Sequence, residues 1–482
     1  MSPSPGPPLG WTRPVVEPLW TSAAIAAATG GRALGGGFAA SGIGIDSRAL
    51  RAGDLFVALT AERDGHDFIA AAMAGGAAAV LAGRPVDAPC VIVGDTLVGL
   101  CALAEAARLR APDALRGAVT GSVGKTSVTQ AVLSGLRLAA VAGSGAAHGP
   151  IASFNNHIGV PLTLARMPAD TRRAIFEIGM NHAGEIAPLS RLLRPHVVAI
   201  TTVAAAHMEN FADGEAGIAR AKAEIFEGLA PRGVAVINAD DPWFDYLAAE
   251  ACRRRATLRR FGAADAADAR LIRFTPTPEG AMVAAMIDGA RLDYSLRQSA
   301  VHWGPMSLCA LLILRALDVD LATAVAALSA FEPLHGRGAL TAVRLDDGTF
   351  TLVDESYNAS PVSMSAALRT LGRAAGRRIA VLTDMLELGV GAADHHVALA
   401  GVIEAADVDL VFCAGPLMKT LWAALPSARQ GCWAPDAGAL APALIDEVRA
   451  GDTVMVKGSH GSRAAVLVDA LSALDKVSGG RG

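Results

Sequence analysis

The residues that could do chemistry begin with a glycine-rich turn, TGSVGKTS, at residues 120–127. The turn joins the short stretch AVT to a helix-like stretch, and its glycines would let backbone N–H groups approach phosphate oxygens. Lys125 can reach the β- and γ-phosphates of a nucleotide, and the Thr126 hydroxyl can ligate Mg²⁺. Val119 stands where the strict phosphate-loop spacing has glycine, so this is a shorter variant of the loop. Since the chain has no NKxD tetrapeptide for reading guanine, we predict that the nucleotide is ATP.

Three further polar residues fall in the segments that follow this turn. Glu177 and His207 come after the apolar runs AIF and VVAITTVAAA, and Lys222 lies in the helix-like ARAKAEIFEGL. Ligands bind at the carboxyl ends of parallel strands, so Glu177 and His207 would face the γ-phosphate, where a carboxylate suits a hard cation. Taken singly, each residue also fits a structural role: a solvated strand end, a hydrogen-bonded histidine and a helix-face lysine.

Length and composition narrow the class of protein. The 482 residues are 52% hydrophobic and 18% charged, which suits several packed α/β cores better than disorder. A formal charge of −4 does not indicate the excess of positive charge that binding to nucleic acid or an anionic membrane requires. The six cysteines form no CxxC pair, and neither the N-terminus nor the apolar window 303–314 fits a signal peptide or a membrane span. We therefore predict a cytoplasmic protein with no nucleic-acid partner and no membrane insertion.

The order of apolar runs predicts three α/β domains. Residues 1–113 contain short strands and alanine-rich helical stretches, among them a helix predicted over residues 68–83. Residues 114–336 alternate strands with helices, which predicts a parallel sheet around the phosphate loop. Residues 337–482 repeat that alternation in a Rossmann-like pattern.

Several of these segments together resemble the Mur ligase family, whose members form amide bonds with ATP in peptidoglycan synthesis. The central segments that carry the resemblance are TGSVGKTS (120–127), FEIGMNHAGEI (176–186), TTVAAAHMENF (201–211), AKAEIF (221–226) and INADDP (237–242). Those outside them are IDSRALRAGDLFVAL (45–59), RDGHDF (63–68), SFNNHIGVPLTLARMP (153–168), DESYNASPVSMSAAL (354–368), LTDMLELG (382–389) and VKGSHGSR (456–463). The resemblance implies a UDP-N-acetylmuramoyl-tripeptide acceptor, D-alanyl-D-alanine as the amine, ATP and a monomeric enzyme.

The resemblance also implies roles for residues of the central domain. The ATP phosphates would be held by Gly121, Ser122, Val123, Gly124, Lys125, Thr126 and Ser127. Two Mg²⁺ ions would be served by Thr126, Glu177, His207 and Lys222, the last as a carbamate formed with CO₂. Lys125, Glu177, His207 and Lys222 would thereby be the catalytic residues.

Further roles are implied in the outer domains. Arg337, Asp354 and Tyr357 would close over ATP, and Asn358 and Asp384 would bind the dipeptide. The uridine diphosphate would be positioned by Ser47, Arg48, His66 and Asp67. Asp67 has a structural alternative, since it could cap a helix that starts at Phe68.

The sequence departs from the family pattern near the predicted nucleotide site. Met306 stands where the family has an asparagine near adenine, and Pro305 would disturb a helix unless it lies in the first turn. Smaller departures are Glu355, Ser360 and Thr383. Two alternatives therefore stay open: a Mur-type ligase with another amine substrate, and a nucleotide-binding homologue without turnover. The third residue of the acceptor peptide, meso-diaminopimelate or lysine, is not fixed by the sequence.

Overall fold

A computed structural model describes residues 18–475 except 62, 152, 206, 207 and 278, and only the backbone of Ser144. The chain divides into two compact units. The first comprises the residues up to Pro112 together with Ile158–Asp170, and the second comprises Asp113–His157 and the residues from Thr171 onward. Within the described part of the chain, no helix has both the length and the apolar character needed to cross a membrane.

The strands and helices are numbered in chain order. The strands are β1 (Trp20–Thr21), β2 (Arg32–Leu34), β3 (Ala39–Ala40), β4 (Gly42–Gly44), β5 (Asp54–Val57), β6 (Ala79–Ala82), β7 (Cys90–Ile92), β8 (Leu115–Thr120), β9 (Ala146–His148), β10 (Thr171–Glu177), β11 (Val197–Ile200), β12 (Val234–Asn238), β13 (Thr257–Gly262), β14 (Ala269–Thr277), β15 (Gly280–Ile287), β16 (Ala290–Leu296), β17 (Ala339–Leu345), β18 (Gly348–Glu355), β19 (Arg378–Thr383), β20 (Leu410–Ala414), β21 (Gln430–Ala434) and β22 (Thr453–Lys457). The helices are α1 (Ser22–Thr29), α2 (Ile69–Ala74), α3 (Thr96–Arg110), α4 (Lys125–Ala139), α5 (Gly159–Ala165), α6 (Ile186–Leu193), α7 (Glu215–Ala223), α8 (Phe244–Arg253), α9 (Trp303–Ala316), α10 (Leu321–Ala330), α11 (Pro361–Leu371), α12 (Ala392–Val397), α13 (Leu399–Ala405), α14 (Met418–Ala424), α15 (Ala437–Glu447) and α16 (Ala465–Ser472).

The first unit is built on a five-stranded sheet in the order β2-β7-β6-β5-β4, with β2 antiparallel and the others parallel. Helix α5 belongs to this unit, because the Trp20 indole N–H donates to the Ala165 carbonyl at 3.0 Å. Arg110 adds a second tie by donating to the Met167 carbonyl at 2.6 Å.

The helix predicted over residues 68–83 is wrong in its second half. Helix α2 ends at Ala74, Gly76 adopts a φ of 92°, and β6 follows with all four residues buried. A glycine in the left-handed region stops the helix, and a short apolar run buried on both faces has no periodicity that separates a strand from a helix.

The central part of the second unit is a nine-stranded sheet in the order β16-β15-β14-β13-β12-β11-β8-β10-β9. The strands from β8 to β14 are parallel, as predicted, and the hairpin partners β15 and β16 add an antiparallel edge that was not predicted. Helices α4 and α9 pack on one face and bury Val128, Leu133, Leu308 and Leu311. The strands that carry the predicted phosphate-binding residues are therefore adjacent in one sheet.

The last part of the second unit is a six-stranded sheet in the order β17-β18-β22-β19-β20-β21. All neighbouring pairs are parallel except β17 with β18. Buried apolar clusters cover both faces, one with Leu368, Leu382 and Ile403, the other with Phe350, Leu440 and Leu467. This confirms the predicted Rossmann-like α/β pattern in the last part of the chain. The predicted domain boundaries at 113/114 and 336/337 stay predictions.

Candidate functional site

The phosphate loop joins β8 to α4, and two of its glycines are required by its shape. Gly121 has a φ of 149° and Gly124 a φ of 88°, both in the region that favours glycine. A Cβ on Gly121 would lie 1.9 Å from Thr201 Oγ1, and one on Gly124 would lie 2.9 Å from Met306 Sδ. Helix α4 begins directly after Gly124, so the free N–H groups of its first turn point at the loop.

The loop is fastened to the segment that follows β11. The Ser122 backbone N–H donates to the Thr202 carbonyl at 2.7 Å, and the Ser122 hydroxyl donates to the Ala204 carbonyl at 2.9 Å. The Thr201 hydroxyl donates to the Val123 carbonyl at 2.5 Å. These bonds fix the loop before any ligand binds, which is the preorganisation that phosphate binding needs.

Lys125 points back onto the loop. Its Nζ donates to the Gly121 carbonyl at 2.5 Å. Desolvation lowers the pKa of Lys125; the carboxylate of Glu177 opposes this shift and the guanidinium of Arg337 adds to it. The Lys125 side chain is thus held within the loop, and its role as a γ-phosphate clamp stays a prediction.

Thr126 and Arg337 meet across the site. The Arg337 guanidinium donates to Thr126 Oγ1 at 3.1 Å, and Thr126 Oγ1 also lies 3.0 Å from Ser153 Oγ. The guanidinium stacks on the Tyr357 ring, 4.0 Å from its centroid. Arg337 therefore extends from the turn before β17 to the first turn of α4, and its approach to the nucleotide stays a prediction.

Glu177 ends β10 and is 2% exposed. Its Oε1 accepts from Asn155 Nδ2 at 2.7 Å, whereas its buried Oε2 has no hydrogen-bond partner in the described part of the chain. A buried carboxylate oxygen without a partner is destabilising unless a ligand satisfies it. Its hard, anionic character fits Mg²⁺.

Lys222 lies at the end of α7 and is 3% exposed. Burial lowers its pKa well below the usual value, the charge of Lys125 adds to the shift, and Asp241 opposes it. Asp241 is itself held by the backbone N–H groups of Val203 at 2.7 Å and Trp243 at 2.9 Å. The fourth predicted catalytic residue, His207, lies outside the described residues.

A cavity of about 560 Å³ brings most of these residues together. Of the predicted site residues, it is lined by Ser122, Val123, Gly124, Lys125, Thr126, Ser127, Glu177, Arg337, Tyr357 and Asn358. Gly121, Lys222, Asp354 and Asp384 are not among the described residues that line it.

The carboxylate of Asp354 accepts hydrogen bonds from backbone N–H groups beside the cavity. Its Oδ2 accepts from the Gly336 N–H at 2.7 Å, and its Oδ1 accepts from the Ser356 N–H at 3.1 Å and the Ser356 hydroxyl at 2.6 Å. The next residue, Glu355, lines the cavity instead and accepts from Lys457 Nζ at 3.2 Å. In this arrangement Asp354 shapes the turn that carries Arg337.

The two residues predicted to bind the dipeptide are placed differently. Asn358 lines the cavity, and its backbone carbonyl accepts from Lys457 Nζ at 3.1 Å. Asp384 follows β19 and is 5% exposed; its Oδ1 accepts from the Met418 N–H at 2.8 Å and its Oδ2 from the Leu417 N–H at 3.3 Å. Asp384 thus caps the segment that begins α14.

The departures from the family pattern are accommodated by packing. Pro305 is the third residue of α9, whose first-turn N–H groups have no partner within the helix, so no helical hydrogen bond is lost. Met306 is 6% exposed, lines the cavity and packs against Gly124. The cavity is also lined by residues to which the sequence assigned no role, among them His302, Glu355, Lys457, Ser153 and Asn155. All of these except His302 lie in a segment that carries the resemblance, and that position is the signal that could have found them.

The residues predicted to position the uridine diphosphate lie in the first unit. Arg48 is exposed and pairs with Asp46, and this pairing lowers the pKa of Asp46 to about 2. His66 lies in a turn at Gly65–Phe68; its Nδ1 donates to Asp64 at 2.6 Å, and its Nε2 accepts from the Gly83 N–H at 2.9 Å. Ser47 is half-buried and Asp67 is exposed in the same turn as His66. The side chain of Asp64 caps the turn at Gly65–Phe68, and helix α2, which starts at Ile69, has no side-chain cap. The alternative that Asp67 caps a helix starting at Phe68 is therefore wrong.

The chain matches three family models in order. They are described as the Mur ligase family catalytic domain over residues 39–106, the Mur ligase middle domain over 119–314, and the Mur ligase glutamate ligase domain over 340–460. Each match falls on one of the three larger sheets, which have five, nine and six strands.

Curated relatives and a solved structure extend the match to most of the chain. The UDP-N-acetylmuramoyl-tripeptide–D-alanyl-D-alanine ligase of Escherichia coli (strain K12) is 36% identical over 375 residues, which cover 77% of this chain and 80% of that protein. The enzyme of the same name from Bacillus subtilis (strain 168) is 33% identical over 385 residues, covering 78% and 80%. A crystal structure of MurF from Acinetobacter baumannii is 26% identical, has a TM-score of 0.82, and covers 94% of this chain and 99% of that one. With this level of identity and a phosphate-loop cavity in the matching sheet, the chain belongs to the Mur ligase family.

Proposed function

We propose that this chain is the ATP-dependent ligase that joins D-alanyl-D-alanine to UDP-N-acetylmuramoyl-tripeptide and so makes the pentapeptide precursor of peptidoglycan. The substrates in this proposal are those in the names of the relatives from Escherichia coli and Bacillus subtilis. The observation that carries the proposal is one cavity lined by the phosphate loop, the buried carboxylate of Glu177, and Arg337 from the turn before β17. The alternatives of another amine substrate and of a homologue without turnover lack such support.

The chemistry follows from the poor reactivity of a carboxylate toward an amine. The acceptor's carboxylate oxygen attacks the γ-phosphorus of ATP, the bond to the β-γ bridging oxygen breaks, and ADP leaves. Lys125 and the N-terminus of α4 lie where they would neutralise the charge on the transferred phosphoryl group. The neutral amine of the dipeptide then attacks the acyl phosphate, the C–N bond forms, phosphate leaves, and the amine proton passes to solvent or phosphate.

The metal-binding residues support a role for Mg²⁺. Thr126 and Glu177 would hold one ion, and the unpartnered Oε2 of Glu177 is the atom that fits it. His207 and a carbamate on Lys222 would hold a second ion. Burial favours the neutral amine of Lys222, which is the form that reacts with CO₂. When bound, the ions supply positive charge that stabilises the transferred phosphoryl group.

The outer parts of the chain would bind the other two substrates. Ser47, Arg48, His66 and Asp67 would contact the uridine diphosphate, and Asn358 lies in the cavity wall where the dipeptide could approach. Asp384 would act on that wall indirectly, through the backbone that it holds. A reaction that uses ATP and a nucleotide-linked precursor fits an enzyme of the cytoplasm, and that the enzyme is a monomer stays a prediction.

The direct experiment supplies purified protein with ATP, Mg²⁺, UDP-N-acetylmuramoyl-tripeptide and D-alanyl-D-alanine. We expect mass spectrometry to show the pentapeptide product and ADP release to depend on both the acceptor and the dipeptide. A panel of other amino acids and dipeptides tests the alternative amine substrates. No product with any amine would refute the assignment, and activity that rises with bicarbonate would support the carbamate on Lys222.

A further inference from the structure

Two polar side chains on one irregular segment contact two different residues that we propose as magnesium ligands. The segment follows β9 and carries Ser153 and Asn155, two positions apart. Ser153 Oγ lies 3.0 Å from Thr126 Oγ1, and Asn155 Nδ2 donates to Glu177 Oε1 at 2.7 Å. Both Ser153 and Asn155 line the cavity.

The backbone just beyond β10 holds Asn155 in place. Its backbone carbonyl accepts from the Gly179 N–H at 2.7 Å, two residues beyond Glu177. A Cβ on Gly179 would lie 3.0–3.1 Å from the amide atoms of Asn155, so the glycine leaves the space that the amide occupies. Asn155 is thus fixed by backbone contact and bonds to the carboxylate with a side-chain N–H.

The choice of an amide at this position has an electrostatic consequence. A neutral donor satisfies Oε1 of Glu177 without adding a positive charge, whereas a lysine or arginine at position 155 would offset the negative charge of the carboxylate. The bond to Oε1 also sets the rotation of the carboxylate and leaves Oε2 as the buried oxygen without a partner. The bond therefore determines which oxygen can accept a metal ion.

Ser153 acts on the other ligand in a similar way. Thr126 Oγ1 accepts from the Arg337 guanidinium, so its own hydrogen is free to point toward Ser153 Oγ. A hydroxyl whose hydrogen is held by an acceptor keeps its remaining lone-pair direction for a cation. Partners of this kind orient metal ligands in many proteins.

We propose that Ser153 and Asn155 are positioning residues that orient Thr126 and Glu177 for Mg²⁺. The proposal rests on the proposed function, since that function supplies the metal. It assigns the two residues no contact with the reacting atoms.

The test is the Mg²⁺ dependence of nucleotide binding in Asn155→Ala, without turnover. Binding of a non-hydrolysable ATP analogue is measured by calorimetry over a series of free Mg²⁺ concentrations, with acceptor and dipeptide omitted. We expect the half-saturating Mg²⁺ concentration to rise by about 10- to 100-fold, the range typical for the loss of such a partner. Ser153→Ala should raise it by a smaller factor, because Thr126 remains held by Arg337.

Gln130→Ala is the matched control. The Gln130 side chain donates to the Pro150 carbonyl at 3.1 Å and so holds the same segment. In the described part of the chain, this side-chain amide forms no hydrogen bond with the side chain of Thr126 or of Glu177. The proposal predicts an unchanged Mg²⁺ requirement in this variant. An equal rise in Gln130→Ala and Asn155→Ala would overturn the proposal, as would no rise in Asn155→Ala.

If Asn155→Ala does not fold, Asn155→Leu replaces it, because leucine has a similar volume and no N–H donor. The same rise in the Mg²⁺ requirement is then expected, and no rise would overturn the proposal. The proposal and the proposed function can fail separately. Wild-type protein that makes no pentapeptide product refutes the function whatever the Mg²⁺ requirement of the variants. An active wild-type enzyme with an Asn155→Ala variant that needs no more Mg²⁺ refutes only the positioning role.

Discussion

Two buried carboxylates at the ends of parallel strands behave in opposite ways in this molecule. Glu177 ends β10 in the central sheet and Asp384 follows β19 in the last sheet, and both were predicted to bind ligands. One oxygen of Glu177 has no partner in the described part of the chain, whereas both oxygens of Asp384 accept backbone N–H groups. Both carboxylates lie at a strand end, so position alone does not distinguish them. The number of hydrogen bonds that each oxygen accepts distinguishes a carboxylate available to a ligand from one that stabilises the fold.

The surroundings of the two carboxylates reinforce the contrast. Next to Glu177 lie Lys125 and Arg337, two cations directed at a cavity. Next to Asp384 the loop is closed by His396, whose Nδ1 donates to the Ala392 carbonyl at 2.6 Å and whose Nε2 accepts from the Met385 N–H at 3.0 Å. Changes at the first region should therefore alter catalysis, and changes at the second should alter stability.

The largest effect is expected at the phosphate loop. Lys125→Ala removes the cation that would stabilise the transferred phosphoryl group, and we expect ligation to fall by about 10³-fold or more. The measurement is ADP release that depends on D-alanyl-D-alanine. The melting temperature serves as the control for folding, and full activity in this variant would contradict the assignment.

Glu177→Gln tests the available carboxylate. The new side chain can still accept from Asn155, but it loses the charge that would hold a cation, so we expect ligation to fall by about 10²-fold. The free energy of unfolding should change by no more than about 1 kcal/mol, since the lost oxygen has no hydrogen bond to lose. Denaturant unfolding measures the free energy of unfolding. A large loss of stability with activity retained would show that Glu177 stabilises the fold, as Asp384 does, and would contradict the contrast between them.

Asp384→Ala tests the occupied carboxylate. Two backbone N–H groups would lose their acceptor, and we expect the free energy of unfolding to fall by about 1–3 kcal/mol. Asp384→Asn is the control, since it has the same size and keeps one acceptor oxygen, which can retain the shorter bond from the Met418 N–H. If Asp384→Asn raises the KM for the dipeptide at unchanged stability, Asp384 binds substrate and the contrast with Glu177 fails.

The smallest effect is expected from His396 through pH. Burial lowers the pKa of His396, while the Ala392 carbonyl and the charge of Asp384 oppose the shift. Because the folded-state pKa lies below the usual value near 6.5, the unfolded chain takes up the proton first as the pH falls. The stability contribution is therefore complete above about pH 6.5 and is lost progressively below it.

The measurement compares melting temperatures of wild type and His396→Gln between pH 7 and pH 5. We expect a shallower decline in the variant. A decline must remain, because burial also lowers the pKa of His196 and His302. Identical declines in the two proteins would show that His396 does not contribute to the pH dependence.

Sequence alone predicted the parts of the site that depend on local pattern. The phosphate loop, β8 and α4 follow from glycine placement and strand-helix alternation, and the position of Glu177 follows from the strand that it ends. The phase of a strand is harder to predict, because neighbouring residues point to opposite faces. Asp354 was predicted to close over ATP, and in the structure its carboxylate holds the turn while Glu355 lines the cavity. The ATP-binding role of Asp354 stays a prediction.

Other parts could not be predicted, because they depend on contacts between distant segments. Asn155 lies on an irregular segment with no periodicity. Its hydrogen bond to Glu177 can be seen only when β10 is placed beside this segment. The alanine-rich run at residues 68–83 divides into α2 and β6 because the second half is enclosed by its sheet neighbours. The antiparallel edge of β15 and β16 likewise needs a neighbouring strand to pair with.

The return of residues 158–170 to the first unit has a consequence for how the chain is made. During synthesis the N-terminal unit cannot be completed when Pro112 leaves the ribosome, because Trp20 bonds to a carbonyl 145 residues later and Arg110 to one 57 residues later. Domains generally fold as units while they emerge. This one has to wait for α5, so a fragment ending at Pro112 should expose the apolar surface that α5 covers and should be sensitive to proteolysis.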